Sequence, residues 1–380
     1  MRIYLDHNAG APLRVEAREA MLAVLGAAAN PSSAHREGAR ARALLETARA
    51  DVAALIGASA AEIVFTSGAT EANNLALRGA VGGRGVVTTA IEHASVLETA
   101  RALEAAGTRL AVVAADGEGR VAADDVAAAC DDATGLVSVG LANGEVGSVA
   151  PVAAIAAGLR GRGVLVHTDA AQAAGRLPVD VRALGADLLS LSAHKLGGPA
   201  GVGALYVRRG VGLAAQATGG PQERSRRAGT ENVAGIVGFG VAARLARAEL
   251  ATTAAAAGAL VERLWSGINA RIPDAVRHGP AAGPRLPNTL NVGFPGCTGE
   301  SLLALLDLGG IAVSLGSACA AGSAEPSHVL LAMGLDRDAA RSGVRLSLGP
   351  ATSAAEVERV LDVLPGLVAQ VRAVRGEAAA

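Results

Sequence analysis

The sequence predicts an α/β chain: a large unit on a mostly parallel sheet with helices on both faces, followed by a smaller α+β unit. Three observations predict it. Strand-like and helix-like segments alternate through the first two-thirds of the chain, as they do where helices cover a parallel sheet. After about Leu250 the alternation stops, and Pro273, Pro280, Pro284, Pro287 and Pro295 punctuate shorter apolar runs. At 380 residues the chain is long enough for two cores.

The elements follow in order. Arg14 to Ala28 and Arg36 to Ile56 carry apolar residues at helical spacing. Glu62–Thr66 is a short apolar strand that turns into a helix over Glu71–Gly79. Gly85–Thr89 is a strand before a helix near Val96–Ala106. Arg109–Val113, Leu136–Leu141, Val164–His167, Asp187–Leu191 and Gly203–Val207 continue the strand series. Val233 to Leu250 reads as one helix and Ala251–Ala270 as a long one; the GEAAA tail is expected to fray. The organisation is therefore an N-terminal segment, 1–13, packing with the small unit; a large unit, 14–250; and a small unit, 251–380.

Composition excludes several classes. No run approaches the roughly 18 apolar residues of a membrane span, and MRIYLDHNAG lacks a basic-then-apolar leader. A cytoplasmic protein with no membrane contact is expected. The net charge is -1 with no block of like charge, which argues against a nucleic-acid surface. Cys130, Cys297 and Cys319 are odd in number and far apart, so they suggest neither a disulfide framework nor a metal site.

Lysine and arginine total 34, yet Lys195 is the only lysine. Arginine replaces lysine as a surface charge but not where a neutral amine must form. A lone lysine is thus a candidate for amine chemistry. It lies in DLLSLSAHKLGGPAG, just past a strand ending at Ser192 and beside His194. Two further strand ends complete a pattern. In FTSGATEANN a strand runs into Ala69 and Thr70 at a helix N-terminus, where free amides bind an anion. In VLVHTDAAQAAG, Asp169 follows a strand, with Gln172 three residues on. Taken singly, a helix cap is the better reading of each of the last two. Together, a Schiff-base lysine, an acid for a pyridinium nitrogen and an anion cradle are what pyridoxal phosphate needs. Gly238-Phe239-Gly240 with Ala243 fits G-x-G-x-x-A, but it falls inside a predicted helix with no strand before it, so it is not read as a dinucleotide site.

Over nearly its whole length the chain resembles the cysteine desulfurases of the NifS/IscS type, in the class V aminotransferase family. YLDHNAGAP, NPSSAHREGARAR, FTSGATEANNLAL, IEHASVL, ANGEVGSVAPV, HTDAAQAAGRLPVD, LSAHKLGGPAGVGALYVRRG, QERSRRAGTENVAGIVGFG, SLGSACAAGSAEPSHVLLAMG and GVRLSLGP carry the resemblance. It implies the type I fold of pyridoxal-phosphate-dependent transferases, with the cofactor in the large unit and a cysteine loop in the small one. Lys195 would bind the cofactor aldehyde, Asp169 the pyridine nitrogen and Gln172 the ring oxygen. His93 would stack on the ring and serve catalysis. Ala69, Thr70, Ser192 and His194 would hold the phosphate, and Thr230 would reach the phosphate of a neighbouring subunit, implying a homodimer. Asn143 would contact the cofactor oxygen or the substrate, and Arg345 the substrate carboxylate. Cys319, among small residues, would take sulfur from L-cysteine as a persulfide and leave alanine. The implied acceptors are proteins: iron–sulfur scaffolds or tRNA-thiolation carriers.

The chain departs from the family at His7 and Gly10, at Gly144 within Asn143-Gly144-Glu145, and at Pro221. No departure removes a catalytic group; each touches the substrate pocket or a partner surface. A selenocysteine lyase or an aminotransferase on the same fold would need Lys195 and Asp169 but not Cys319. A non-enzymatic sulfur relay would need none of Lys195, Asp169 and His93.

Overall fold

The computed structural model describes residues 2–27, 30–316 and 325–379. The large unit contains α1 (Val15–Leu25), α2 (Arg36–Leu55), β2 (Ile63–Thr66), α3 (Ala69–Ala80), β3 (Gly85–Thr89), α4 (Ala94–Ala105), β4 (Leu110–Val113), α5 (Ala123–Ala129), β5 (Thr134–Ser138), α6 (Val152–Gly158), β6 (Leu165–Asp169), α7 (Val181–Leu184), β7 (Leu188–Ser192), β8 (Gly203–Val207) and a one-turn α8 (Gln222–Ser225). A short β1 (Ile3–Tyr4) precedes them. The chain ends with α9 (Val233–Arg271), β9 (Val276–His278), β10 (Thr289–Gly293), α10 (Gly299–Leu308), β11 (Ile311–Ala312), α11 (His328–Ala332), α12 (Arg337–Arg341), β12 (Gly343–Ser347) and α13 (Ala354–Ala379). The last helix includes most of the tail expected to fray.

Seven strands form the main sheet in the order β2-β8-β7-β6-β5-β3-β4. All run parallel except β8, which is antiparallel to both β2 and β7. The strands are apolar on both faces because both faces are covered. Successive side chains alternate between two cores. Ile63 and Phe65 of β2 and Leu189 and Leu191 of β7 pack with α2, α6 and α9. Val64, between the first two, and Leu188, just before Leu189, pack with α3 and α4. The alternation seen in the sequence thus becomes a sheet sandwiched by helices, with its parallel strands ending on one edge.

The smaller sheet is antiparallel, in the order β12-β10-β9, with β1 and β11 paired beside it. Its core takes in Ile3 and Leu5 from the N-terminal segment. The two helices read from the sequence, Val233–Leu250 and Ala251–Ala270, are one helix of 39 residues. Its first half supplies Ile236, Phe239 and Ala243 to the large core, and its second half Val261, Leu264 and Ile268 to the small one. The G-x-G-x-x-A match lies in the first half. Gly240 serves packing: a Cβ there would come within 2.6 Å of Ala48 Cα in α2. Among the described residues no helix is long and apolar enough to cross a membrane.

One buried ion pair fastens the segment leading to Thr230. Arg49 of α2 donates to both carboxylate oxygens of Glu223, at 2.6 and 2.8 Å, and Phe65 N–H donates to the same carboxylate at 2.8 Å. Glu223, Arg224 and Ser225 all have positive φ, 46°, 57° and 61°, a conformation that costs non-glycine residues energy. The carboxylate contacts hold the turn in that shape. Truncating Arg49 to alanine leaves Glu223 buried and unpaired. The expected loss is about 3–5 kcal/mol in denaturant unfolding; a loss under about 1 kcal/mol would show that the pair does not hold the turn.

Candidate active site

A cavity of about 420 Å³ opens at the carboxyl edge of the main sheet, within the usual size range of small-ligand sites. Ala69, Thr70, His93, Asn143, Asp169, Gln172, Ser192, His194, Lys195 and Arg345 all line it. The remaining two expected residues are Thr230 and Cys319. Thr230 is exposed and outside the lining, and Cys319 lies outside the described residues.

Each wall follows from local sequence. At the end of β2 the chain turns at Ser67-Gly68 into α3. Gly203 of β8 lies against this turn; a Cβ there would sit 2.5 Å from the Gly68 carbonyl carbon, so only glycine lets the strand pass. Ala72 N–H bonds back to Gly68 O at 3.1 Å, leaving the amides of Ala69, Thr70 and Glu71 for another acceptor. Ser67 N–H donates to Glu71 Oε2 at 2.7 Å, and Arg227 pairs with Glu71 at 2.9 Å, which steadies the turn.

Lys195 ends the one-turn helix Ala193–Lys195 that follows β7. Its Nζ donates to the carbonyl oxygens of Asn8 and, at 3.0 Å, Ala9. Burial, then the charges of Arg176 and Arg345, lower its pKa to about 8 against the opposing pull of Asp169 and Asp6. The adjacent His194 is held neutral, its pKa lowered to about 4 by burial and by Lys195 and Arg176.

Asp169 ends β6. It accepts from Ala171 N–H at 2.9 Å and from Asn73 Nδ2 at 2.7 Å. Asn73 also donates to Ser95 Oγ at 2.8 Å, and Ser95 Oγ lies 2.8 Å from His93 Nδ1. A polar chain therefore joins His93 to Asp169 through Ser95 and Asn73. Asn143 ties its own loop to the one after β3: Nδ2 donates to Ile91 O at 2.9 Å, and Oδ1 accepts from Glu145 and Val146 N–H. Arg345, buried on β12, pairs with Asp6 at 2.7 Å and reaches Gly144 O at 3.3 Å, while its Nε has no partner.

Sequence reading missed four residues. Asn8 donates through its side chain to Gly144 O and Thr289 Oγ1, accepts from Asn288, and offers its carbonyl to Gln172 and Lys195. Arg176 donates to both oxygens of Gln172. Asn73 is fully buried on an otherwise apolar face of α3, and that misplaced polarity was its one available signal. Glu92 precedes His93; its carboxylate accepts from Thr89 Oγ1 at 2.6 Å and Gly140 N–H at 2.8 Å. The Gly144 departure also finds its reason. A Cβ there would come within 2.7 Å of Gln172 Nε2, so glycine makes room for the Gln172 amide. Nothing in the structure explains Pro221.

Burial, reinforced by Asp169 and only partly offset by those two hydrogen bonds, pushes the Glu92 pKa up to about 7. A raised pKa means the folded chain binds the proton more tightly than the unfolded one. The resulting stability is present in full below about pH 4.5 and is lost as pH rises through about 7. Relative to Glu92→Gln, the wild type should lose roughly 3 kcal/mol of unfolding free energy between pH 4 and pH 8. A difference that does not change with pH would mean that Glu92 titrates normally.

Comparison with known proteins agrees with this architecture. The family model for class-V aminotransferases matches residues 3–360. A cysteine desulfurase from Cereibacter sphaeroides is 47% identical over 380 residues, 98% of this chain and 97% of that one. Among solved structures, a NifS-like protein superposes with a TM-score of 0.91 at 37% identity, covering 97% of this chain and 100% of its own. SspA, solved in complex with cysteine, gives 0.79 at 33% identity over 93% of this chain and 100% of its own. With its sheet, its strand-end lysine and a family match across almost all of its length, this chain belongs to the class-V aminotransferase family.

Proposed function

We propose that the protein is a cysteine desulfurase dependent on pyridoxal phosphate, converting L-cysteine to L-alanine and taking the sulfur onto Cys319. The observation that carries this reading is the meeting of three groups on one cavity: the sole lysine amine, the Asp169 carboxylate and the open amides of α3. The relative named a cysteine desulfurase and the neighbour solved with cysteine support the substrate.

The donor set fits the cofactor. Lys195 offers an amine with its pKa lowered to about 8, Asp169 an anion for a ring N–H, and Ala69 and Thr70 helix-start amides for a phosphate. Ser192 and the neutral His194 add polar groups to the same cavity, and His93 would lie across the ring. Gln172 keeps one N–H, and Asn143 borders the same wall. Bound pyridoxal phosphate would supply an electron sink for charge left at the substrate Cα.

The chain's own residues do the rest. Arg345 is a buried fork with an unpartnered Nε, suited to the substrate carboxylate. The Lys195 amine would take the Cα proton. The Cys319 thiolate attacks the substrate sulfur; the S–S bond forms as the Cβ–S bond breaks, the bonding pair stays with Cβ and takes up a proton there, and return of the Lys195 proton to Cα completes alanine. Thr230 completes the phosphate site of a second copy, so the working enzyme is a homodimer. A protein acceptor, an iron–sulfur scaffold or a tRNA-thiolation carrier, then removes the sulfur in the cytoplasm, with no nucleic acid or membrane contacted directly.

Alanine and sulfide release from L-cysteine with a reductant tests this. Wild type should release both in equal amounts. Cys319→Ala should keep the visible cofactor band and lose turnover. Full activity of that variant would remove Cys319 as acceptor and favour a lyase or a transaminase; a wild type without a cofactor band would refute the enzyme reading altogether.

A further inference from the structure

Arg176 stands out as a charge without a counter-charge. Among the described residues it forms no ion pair. Its donors all go to uncharged oxygens: Gln172 O at 2.9 Å, Gln172 Oε1 at 2.6 Å, His7 O at 3.1 Å and Lys195 O at 3.5 Å. The residue keeps a little accessible surface, but its guanidinium lies deep: burial, with Arg345 nearby, lowers its pKa to about 10. An unpaired buried cation is costly, and this one lies against the backbone of the only lysine.

Two effects follow from its position. Its bonds fix the Gln172 amide, whose Nε2 then donates to Asn8 O at 3.0 Å, the carbonyl that also accepts from Lys195 Nζ. Its charge meets the amine with no carboxylate of its own to cancel it. The other groups facing Lys195 are Arg345 from β12, Asp169 from β6, Asp6 from the N-terminal segment and the neighbouring His194. Arg345 is paired with Asp6, so its field at Nζ is offset. Asp169 is hydrogen-bonded to Asn73 and Ala171 and pulls the other way.

We propose that Arg176 is a positioning residue for Lys195: it locks Gln172 and the lysine backbone in place, and its uncompensated charge favours the uncharged amine at Nζ. This rests on the reading of Lys195 as the reactive amine. The direction agrees with the lowered lysine pKa, for which Arg176 is the largest cause after burial.

Because Lys195 is the only lysine, its titration can be read directly. The full-length protein, freed of cofactor, is methylated with formaldehyde and cyanoborohydride across a pH series, and the Lys195 peptide is quantified by mass spectrometry. Wild type should show a labelling midpoint near 8. Arg176→Gln, which removes the charge but keeps a two-proton amide donor, should raise it by about one pH unit or more. Arg176→Lys, distinguished by its own peptide, should restore it. Arg176→Met replaces the Gln variant should that one not fold. A wild-type midpoint at the ordinary lysine value, or a neutral variant titrating like wild type, overturns the proposal; loss of packing alone does not move the midpoint in this charge-dependent way. A wild type that never takes up pyridoxal phosphate refutes the desulfurase reading instead, so the two failures are separable.

Discussion

The pocket depends on the knot of hydrogen bonds at Asn8. Two cores, each complete in its own apolar packing, must be held in register for a cavity to persist between their polar edges. Asn8 does this from the N-terminal segment. Its backbone N–H donates to Ser347 Oγ at 2.9 Å, and its side chain donates to Thr289 Oγ1 and accepts from Asn288, all in the small unit. The same side chain donates to Gly144 O, and its carbonyl receives Gln172 and Lys195 from the large unit. Asn8 is almost wholly buried; with its partners present the knot is favourable, and with any one missing a buried polar group is stranded.

Electrostatics then organise what the knot encloses. Lys195, Arg176 and Arg345 bring positive charge to one end of the cavity, while Asp6, Asp169 and Glu92 answer it. Only the Asp6–Arg345 contact among these is an ion pair at 2.7 Å. The remaining charges are stabilised by neutral donors and acceptors: Asn73 and Ala171 for Asp169, Thr89 and Gly140 for Glu92, carbonyl oxygens for Arg176. A site arranged in this way keeps its charges available for an incoming anionic ligand rather than cancelling them internally.

Much of this was legible in the sequence, and the physical reasons differ by residue. The parallel sheet showed itself through alternation, and Lys195 through its being alone. Asp169, Ala69 and Thr70 were visible because strand ends are where such folds carry chemistry. Arg176, Asn8 and Glu92 were not, because their meaning lies in partners far along the chain: Asn8 meets Asn288, and Arg176 meets His7. The Arg49–Glu223 pair was hidden for the same reason. The long helix was read as two because its composition changes near Leu250 while its backbone does not. Local pattern marks elements; long-range complementarity chooses the residues that lock them together.

That helix also has a mechanical consequence. At 1.5 Å per residue, α9 is about 58 Å long, and each half is embedded in a different core. Bending the two cores apart at their join would require breaking backbone hydrogen bonds within a continuous rod, not rotating a flexible linker. The rod therefore acts as a strut that keeps the width of the cavity nearly constant through a catalytic cycle. The frame that carries Lys195 and Arg345 on the walls of one cavity is rigid for the same reason.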